Sequence, residues 1–165
     1  AAEKFNSNAA QYNLAVTYIK MDELNKAKNA LESVEKDADW NNAMGVIALR
    51  EDNLDEASKY FAAAGNETAK ENAAVISILK GDYQAAAAAL ANAKGFNAAL
   101  AQLLVGNNAP AAALKCECAK TAYLRAVAAA RNGDAEAVKT NLEAAKKCEK
   151  LAERAAKDVE FAQYR

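Results

Sequence analysis

Histidine is absent from this 165-residue chain, and with it goes the commonest general base and metal ligand. Cysteine is scarce, at Cys116, Cys118 and Cys148. An odd count argues against a complete disulfide framework. Two cysteines one residue apart, with no histidine to complete a set, lack the spacing of a zinc site. They read as small buried hydrophobes in helices, with a pairing of Cys148 to Cys116 or Cys118 left open. Proline occurs once, at Pro110, and glycine six times, so little in the chain interrupts helices. An excess of either charge is also missing, since 21 Lys and Arg face 22 Asp and Glu for a net charge of −1. No basic block or aromatic-basic interleaving supplies the footprint of a nucleic-acid binder. No apolar run approaches the ~20 residues of a membrane span. Neither nucleic acid nor membrane insertion is expected.

Catalytic patterns are missing too. Ser7, Ser33, Ser58 and Ser77 stand in no strand-turn-helix elbow, and no histidine can activate them. The acid pairs Glu51 with Asp52 and Asp55 with Glu56 fall at turns and helix starts, where the helix dipole accounts for them. Asp52, Asp55 and Glu56 are not followed by the spaced oxygens of a calcium loop, and no Gly-rich phosphate loop is present. The expectation is a protein that is not an enzyme, with no cofactor and no metal.

What the chain has is alanine and repetition. The apolar fraction of 53% is largely Ala, which gains little from burial but has the best helix propensity. Asn, Asp and Gly gather at intervals too short for strands alternating with helices, so an all-α fold is expected. Five stretches share one plan, an apolar helix, a short polar punctuation and an alanine-rich second helix: "YNLAVTYIKMDELNKAKNALESV" from Tyr12, "NAMGVIALREDNLDEASKYFAAA" from Asn42, "ENAAVISILKGDYQAAAAALANA" from Glu71, "FNAALAQLLVGNNAPAAALKCEC" from Phe96 and "YLRAVAAARNGDAEAVKTNLEAA" from Tyr123. Aligned on the turn, Ala27, Ala57, Ala86, Ala111 and Val138 coincide, at steps of 30, 29, 25 and 27 residues. Small residues at such positions let antiparallel helices approach closely. Asn53 with Glu56 has the form of a capping box, Asp82 and Asp134 follow Gly as an N-cap follows a helix stop, and Pro110 suits a first helical turn.

The pattern resembles the tetratricopeptide repeat, a helix-turn-helix unit of ~34 residues. Leu14 and Ala15 stand where that family has its Leu-Gly pair, Tyr18 where it has a helix-A tyrosine, Ala27 at the small helix-B position and Leu31 at an aromatic one. Met44, Gly45, Leu54, Ala57, Phe61 and Ala64 match in the second unit. Gly81, Asp82, Tyr83, Ala86, Leu90 and Ala93 match in the third, and Gly133, Asp134, Leu142 and Ala145 in the fifth. The resemblance implies one domain over 1–165, a right-handed α-solenoid of about five units. These span 8–36, 39–65, 67–94, 96–118 and 120–147, with a C-terminal capping helix over 148–165. The cap carries small or apolar residues at Leu151, Ala152, Ala155, Ala156, Val159, Phe161 and Ala162 with charges between them, the polar-faced end a solenoid needs.

The same resemblance implies a concave face lined by the first helix of each unit, where partner proteins or peptides lie. Its positions here are Tyr12, Val16 and Ile19; Asn42, Val46 and Leu49; Glu71, Val75 and Ile78; Phe96, Leu100 and Leu103; and Tyr123 and Val127, with Ala130 one turn on. Tyr12 and Val16 replace the lysine and asparagine with which chaperone-binding relatives clamp a C-terminal carboxylate, so that peptide class is not expected. Two outcomes follow from the stripe: an exposed binding face, or closure of the stripe on itself as core. The leading expectation is a non-catalytic scaffold that binds a protein or peptide through this face. The alternative is a structural spacer or assembly domain of a larger protein, using its ends or convex side. The chain opens at Ala1 without an initiator methionine, as a processed protein or a piece of a longer one would. Its Ala and Asn usage has a bacterial character, and a periplasmic or cell-envelope location is favoured over a cytoplasmic one.

Overall fold

A computed structural model describes residues 2–165, with side chains from Ser7 onward. The fold is all-α, with no strand among the described residues. In order the helices are α1 (Ala2–Lys20), α2 (Leu24–Leu31), α3 (Ala38–Arg50), α4 (Leu54–Ala64), α5 (Glu67–Leu79), α6 (Tyr83–Ala89), α7 (Phe96–Leu104), α8 (Ala109–Ala112), α9 (Ala119–Arg131), α10 (Ala135–Ala145) and α11 (Glu149–Lys157), followed by a 3-10 segment, Val159–Tyr164. They gather into two compact units, Ala1–Lys80 with α1 to α5 and Gly81–Arg165 with the rest.

One local device turns the chain repeatedly. After α1 the Glu23 N–H donates to the Tyr18 carbonyl at 2.9 Å and the Asp22 N–H to that of Ile19 at 3.1 Å. This pair of bonds is a Schellman stop, which satisfies carbonyls the helix end would otherwise orphan. It recurs after α3 with Asn53 to Ala48 and Asp52 to Leu49, after α7 with Asn107 to Gln102 and Gly106 to Leu103, and after α9 with Asp134 to Ala129 and Gly133 to Ala130. The geometry demands a left-handed residue, and glycine supplies it at Gly106 and Gly133. Asp22 and Asp52 adopt it at φ 64° and 61°, where aspartate pays a steric cost that glycine avoids. A cap follows: Asn53 accepts from the Glu56 N–H at 3.3 Å, Asp82 from that of Ala85 at 3.1 Å and Asp134 from that of Ala137 at 3.0 Å. Asn53 Nδ2 also donates to the Glu56 carboxylate at 2.8 Å, so this capping box closes side chain to side chain.

Packing follows the alanines. Ala27, Ala57, Ala86 and Ala111 are 0% exposed and Val138 is 1% exposed. In the first unit Ala15, Ile19, Leu31 and Ile47 form one cluster, and Phe61 with Ala48, Ala57 and Ile76 forms another. Gly45 serves the second: a Cβ added there would lie 2.5 Å from the Phe61 ring, so α3 and α4 meet only because that position is bare. In the second unit α9 is the centre, its side chains buried almost throughout from Thr121 to Ala130. A helix apolar over most of its circumference belongs inside.

Two expectations are corrected. The second helix of the fourth hairpin does not run to Cys118 but stops after one turn, Ala109–Ala112, leaving 113–118 irregular. The cause is Arg125 of α9, whose Nη1 takes the carbonyls of Leu114 at 2.8 Å and Cys116 at 3.4 Å while its Nε takes Asn141 of α10 at 2.9 Å. Carbonyls held by a guanidinium need no helix partner. Cys116 and Cys118 are therefore exposed rather than buried in a helix, and Cys148 is half-buried at the start of α11. The C-terminal cap is also not one helix. It breaks at Asp158, whose extended backbone and side chain, accepting from the Glu160 N–H at 3.1 Å, start the 3-10 segment.

Candidate functional site

In the first unit the expected face is built by α1, α3 and α5, with α1 packed on α3 and α3 on α5. Their hydrophobic spacing places Tyr12 and Val16 on α1, Asn42, Val46 and Leu49 on α3, and Glu71, Val75 and Ile78 on α5 at successive turns of one side. Tyr12, Val16, Asn42, Val46, Leu49, Val75 and Ile78 are half-buried and Glu71 is exposed. Val46 and Leu49 rest on the core beneath while keeping part of their surface in water. Asn72 Nδ2 donates to Asn42 Oδ1 at 2.9 Å, tying α5 to α3 across the same side. Ile19, 7% exposed, lies in the core instead.

At one end of this face Tyr12 borders a cleft of about 220 Å³ shared with Asn8, Val34, Glu35, Asp37 and Asp39. Asp37 caps α3 through the Trp40 N–H at 2.9 Å, and Asn8 Oδ1 accepts from the Glu35 N–H at 3.0 Å, holding the loop against α1. Burial, and then the charges of Asp39 and Asp37, raise the Tyr12 hydroxyl above its ordinary pKa. The charged side chains lining the cleft, Glu35, Asp37 and Asp39, are all acidic.

The second unit treats its stripe differently. Phe96 and Leu100 are half-buried, but Leu103, Tyr123 and Val127 are 3%, 6% and 7% exposed. At these three positions, as at Ile19, the stripe packs as core, the second of the two outcomes left open by the sequence. The C-terminal segment covers α9. Phe161, 1% exposed, meets the Tyr123 ring edge-on with centroids 5.6 Å apart. The Tyr123 hydroxyl donates to Asp158, and Arg154 lies 5.5 Å over the same ring. About two turns further along α9, Tyr164 donates to the Ala130 carbonyl at 3.0 Å and Arg131 Nη2 pairs with Glu160 at 2.6 Å. Desolvation first, and then the hydrogen bond and charge of Asp158, push the Tyr123 hydroxyl up to about 12.

Sequence reasoning placed the tail as a cap but missed that it covers the side of α9 that carries Tyr123 and Ala130. The signal was Phe161 and Tyr164, two aromatics close together in an otherwise charged and small-residue tail. No group of three or more metal-ligating side chains gathers among the described residues. Compared with protein-family models and with curated proteins, the chain matches none.

Proposed function

We propose that this chain is a tetratricopeptide-like interaction module, a right-handed α-solenoid of about five helix-turn-helix units, that works without catalysis by binding a segment of a partner protein. The repeated Schellman turn and the buried alanines at matched positions support the architecture. The observation that carries the function is the half-buried apolar strip of Val16, Val46, Leu49, Val75 and Ile78 beside the acidic cleft of Glu35, Asp37 and Asp39. An apolar strip rimmed by charge marks an interaction site, and its acidic end selects the occupant. The partner segment is amphipathic, laying aliphatic side chains on the strip and a Lys or Arg into the cleft.

Selection of random peptides displayed on phage against the full chain tests this. Enriched peptides are expected to combine aliphatic residues with a terminal base, to be lost on the Val46→Asp, Val75→Asp double variant, and to invert their charge preference on Asp39→Lys. Melting of the double variant's helices would show that the strip is core, and enrichment without either feature would remove the reading. The competing reading, a spacer or assembly domain without a peptide face, is favoured by the burial of Leu103, Tyr123 and Val127 in the second unit.

A further inference from the structure

The second unit contains a cavity of about 790 Å³, walled by apolar side chains that include Phe96, Pro110 and Leu114. Its charged lining is of one sign. Lys94, Lys115 and Lys120 border it together with Thr121, Cys116 and Cys118, and no carboxylate among the described residues lines it. Neither cysteine is in a disulfide, and both are exposed. Cys118 sits at the N-cap of α9, with its Sγ 3.2 Å from the Thr121 hydroxyl. The loop that carries the pair is held from two sides, because Arg125 binds the carbonyls of Leu114 and Cys116 and lies 3.6 Å from the Glu117 carboxylate. Glu117 is 86% exposed and engaged with Arg125. The charged groups near Cys118 are thus Lys115, Glu117, Lys120 and Arg125 from its own loop and helix, and Lys94 from the segment before α7.

We propose that Cys116 and Cys118 form a reactive dithiol that exchanges with small carboxylate-bearing disulfides admitted by this cavity. Cys118 Sγ, as thiolate, attacks one sulfur of the disulfide; that S–S bond breaks, one thiolate leaves, and a mixed disulfide on Cys118 forms. Cys116 then gives its proton to water and attacks Cys118 Sγ, expelling the second thiolate and closing a Cys116–Cys118 disulfide. The dithiol is oxidised by two electrons and the small disulfide is reduced to two thiols. Each structural element has a part in this. The apolar walls take the organic portion, the lysines attract the carboxylates, and Arg125 holds the backbone carbonyl of Cys116, which carries the resolving thiol. Hydrogen bonds from the Thr121 hydroxyl, and then from the Cys116 thiol, lower the Cys118 thiol to about 7, which makes it the attacking member.

The full chain carrying Cys148→Ser, treated with 5,5′-dithiobis(2-nitrobenzoate) across pH 5–9, tests the proposal. About two equivalents of aryl thiolate are expected per chain, with no adduct retained by mass. The rate should flatten above about pH 7, where an ordinary thiol's keeps rising to about 8.5. Cys116→Ser should release a single equivalent and keep the adduct, and Cys118→Ser should lose the rapid phase while retaining its helicity. Replacing the three lysines with Gln should slow the anionic reagent by about tenfold and leave neutral 4,4′-dithiodipyridine unaffected. A rapid phase that survives Cys118→Ser, an adduct retained when both cysteines are present, or equal slowing of the two reagents by the lysine variant would each overturn it.

Discussion

α3 and α9 hold corresponding places in two helical hairpins, yet one keeps a half-exposed apolar side and the other is enclosed. α3 shows Asn42, Val46 and Leu49 to water in part. α9 places Tyr123, Val127 and Ala130 at the matched positions and exposes almost none of them. The valines are identical, so the side chain at the centre of the stripe does not decide its fate. The surroundings do: α9 has Ala122, Ala126, Ala128 and Ala129 around much of its remaining circumference, where neighbours can approach closely, and a following segment with an aromatic anchor covers it. Whether a helical stripe becomes core or surface depends on what the chain brings next to it.

Stripping the cover breaks the comparison most directly. Phe161→Ala removes a fully buried ring from the Tyr123 contact and should cost about 3–5 kcal/mol. Denaturant unfolding would read the loss, with amide exchange faster in α9 than in α3. A change below about 1 kcal/mol would mean that the tail rests on α9 without stabilising it.

Gly45→Ala strikes the first unit. Alanine in mid-helix should gain about 1 kcal/mol over glycine, but the new Cβ meets the Phe61 ring carbons at 2.5 and 2.6 Å. Phe61 is itself fully enclosed, so the overlap costs more than the propensity returns, and a net loss of about 1–2 kcal/mol is expected. Adding Phe61→Leu should recover part of it. A stabilised single variant would show that α3 and α4 have room to part.

Tyr123→Phe sharpens the comparison by the smallest step. Losing the hydrogen bond to Asp158 should cost about 1 kcal/mol at neutral pH. The folded chain holds the phenolic proton to about pH 12 whereas an unfolded tyrosine releases it near 10. That contribution is therefore intact below pH 10 and fades as the pH rises toward 12. Unfolding free energies should fall through that window by about 1–2 kcal/mol more in the parent than in the Phe variant; parallel slopes would assign the alkaline loss to other groups.

Local features were the legible ones. Ala27, Ala57, Ala86, Ala111 and Val138 were readable as contact sites, and Asn53, Asp82, Asp134 and Pro110 as helix starts, because each depends on residues within one turn or on the repeat itself. The left-handed stops at Asp22 and Asp52 were harder, since neither residue is glycine. The shortened α8, the open cysteine loop and the covered face of α9 were illegible because Arg125 and Phe161 act across the fold. The 25-residue step between Ala86 and Ala111 matches the short α6 and α7, Tyr83–Ala89 and Phe96–Leu104, and gave no sign of the shortened α8. In the candidate site the stripe itself was legible, but its division between surface and core was not.

The recurring Schellman stop also bears on how the chain reaches its fold. The turns after α1, α3, α7 and α9 close through bonds spanning five residues or fewer, such as Glu23 to Tyr18 and Asp134 to Ala129, so the helices on either side meet with little loop entropy to overcome. Chains dominated by such near-neighbour contacts fold on the microsecond to millisecond scale. A hairpin that carries its own stop and cap is also a transposable part: copying or deleting a whole unit preserves the instructions for the turns on either side.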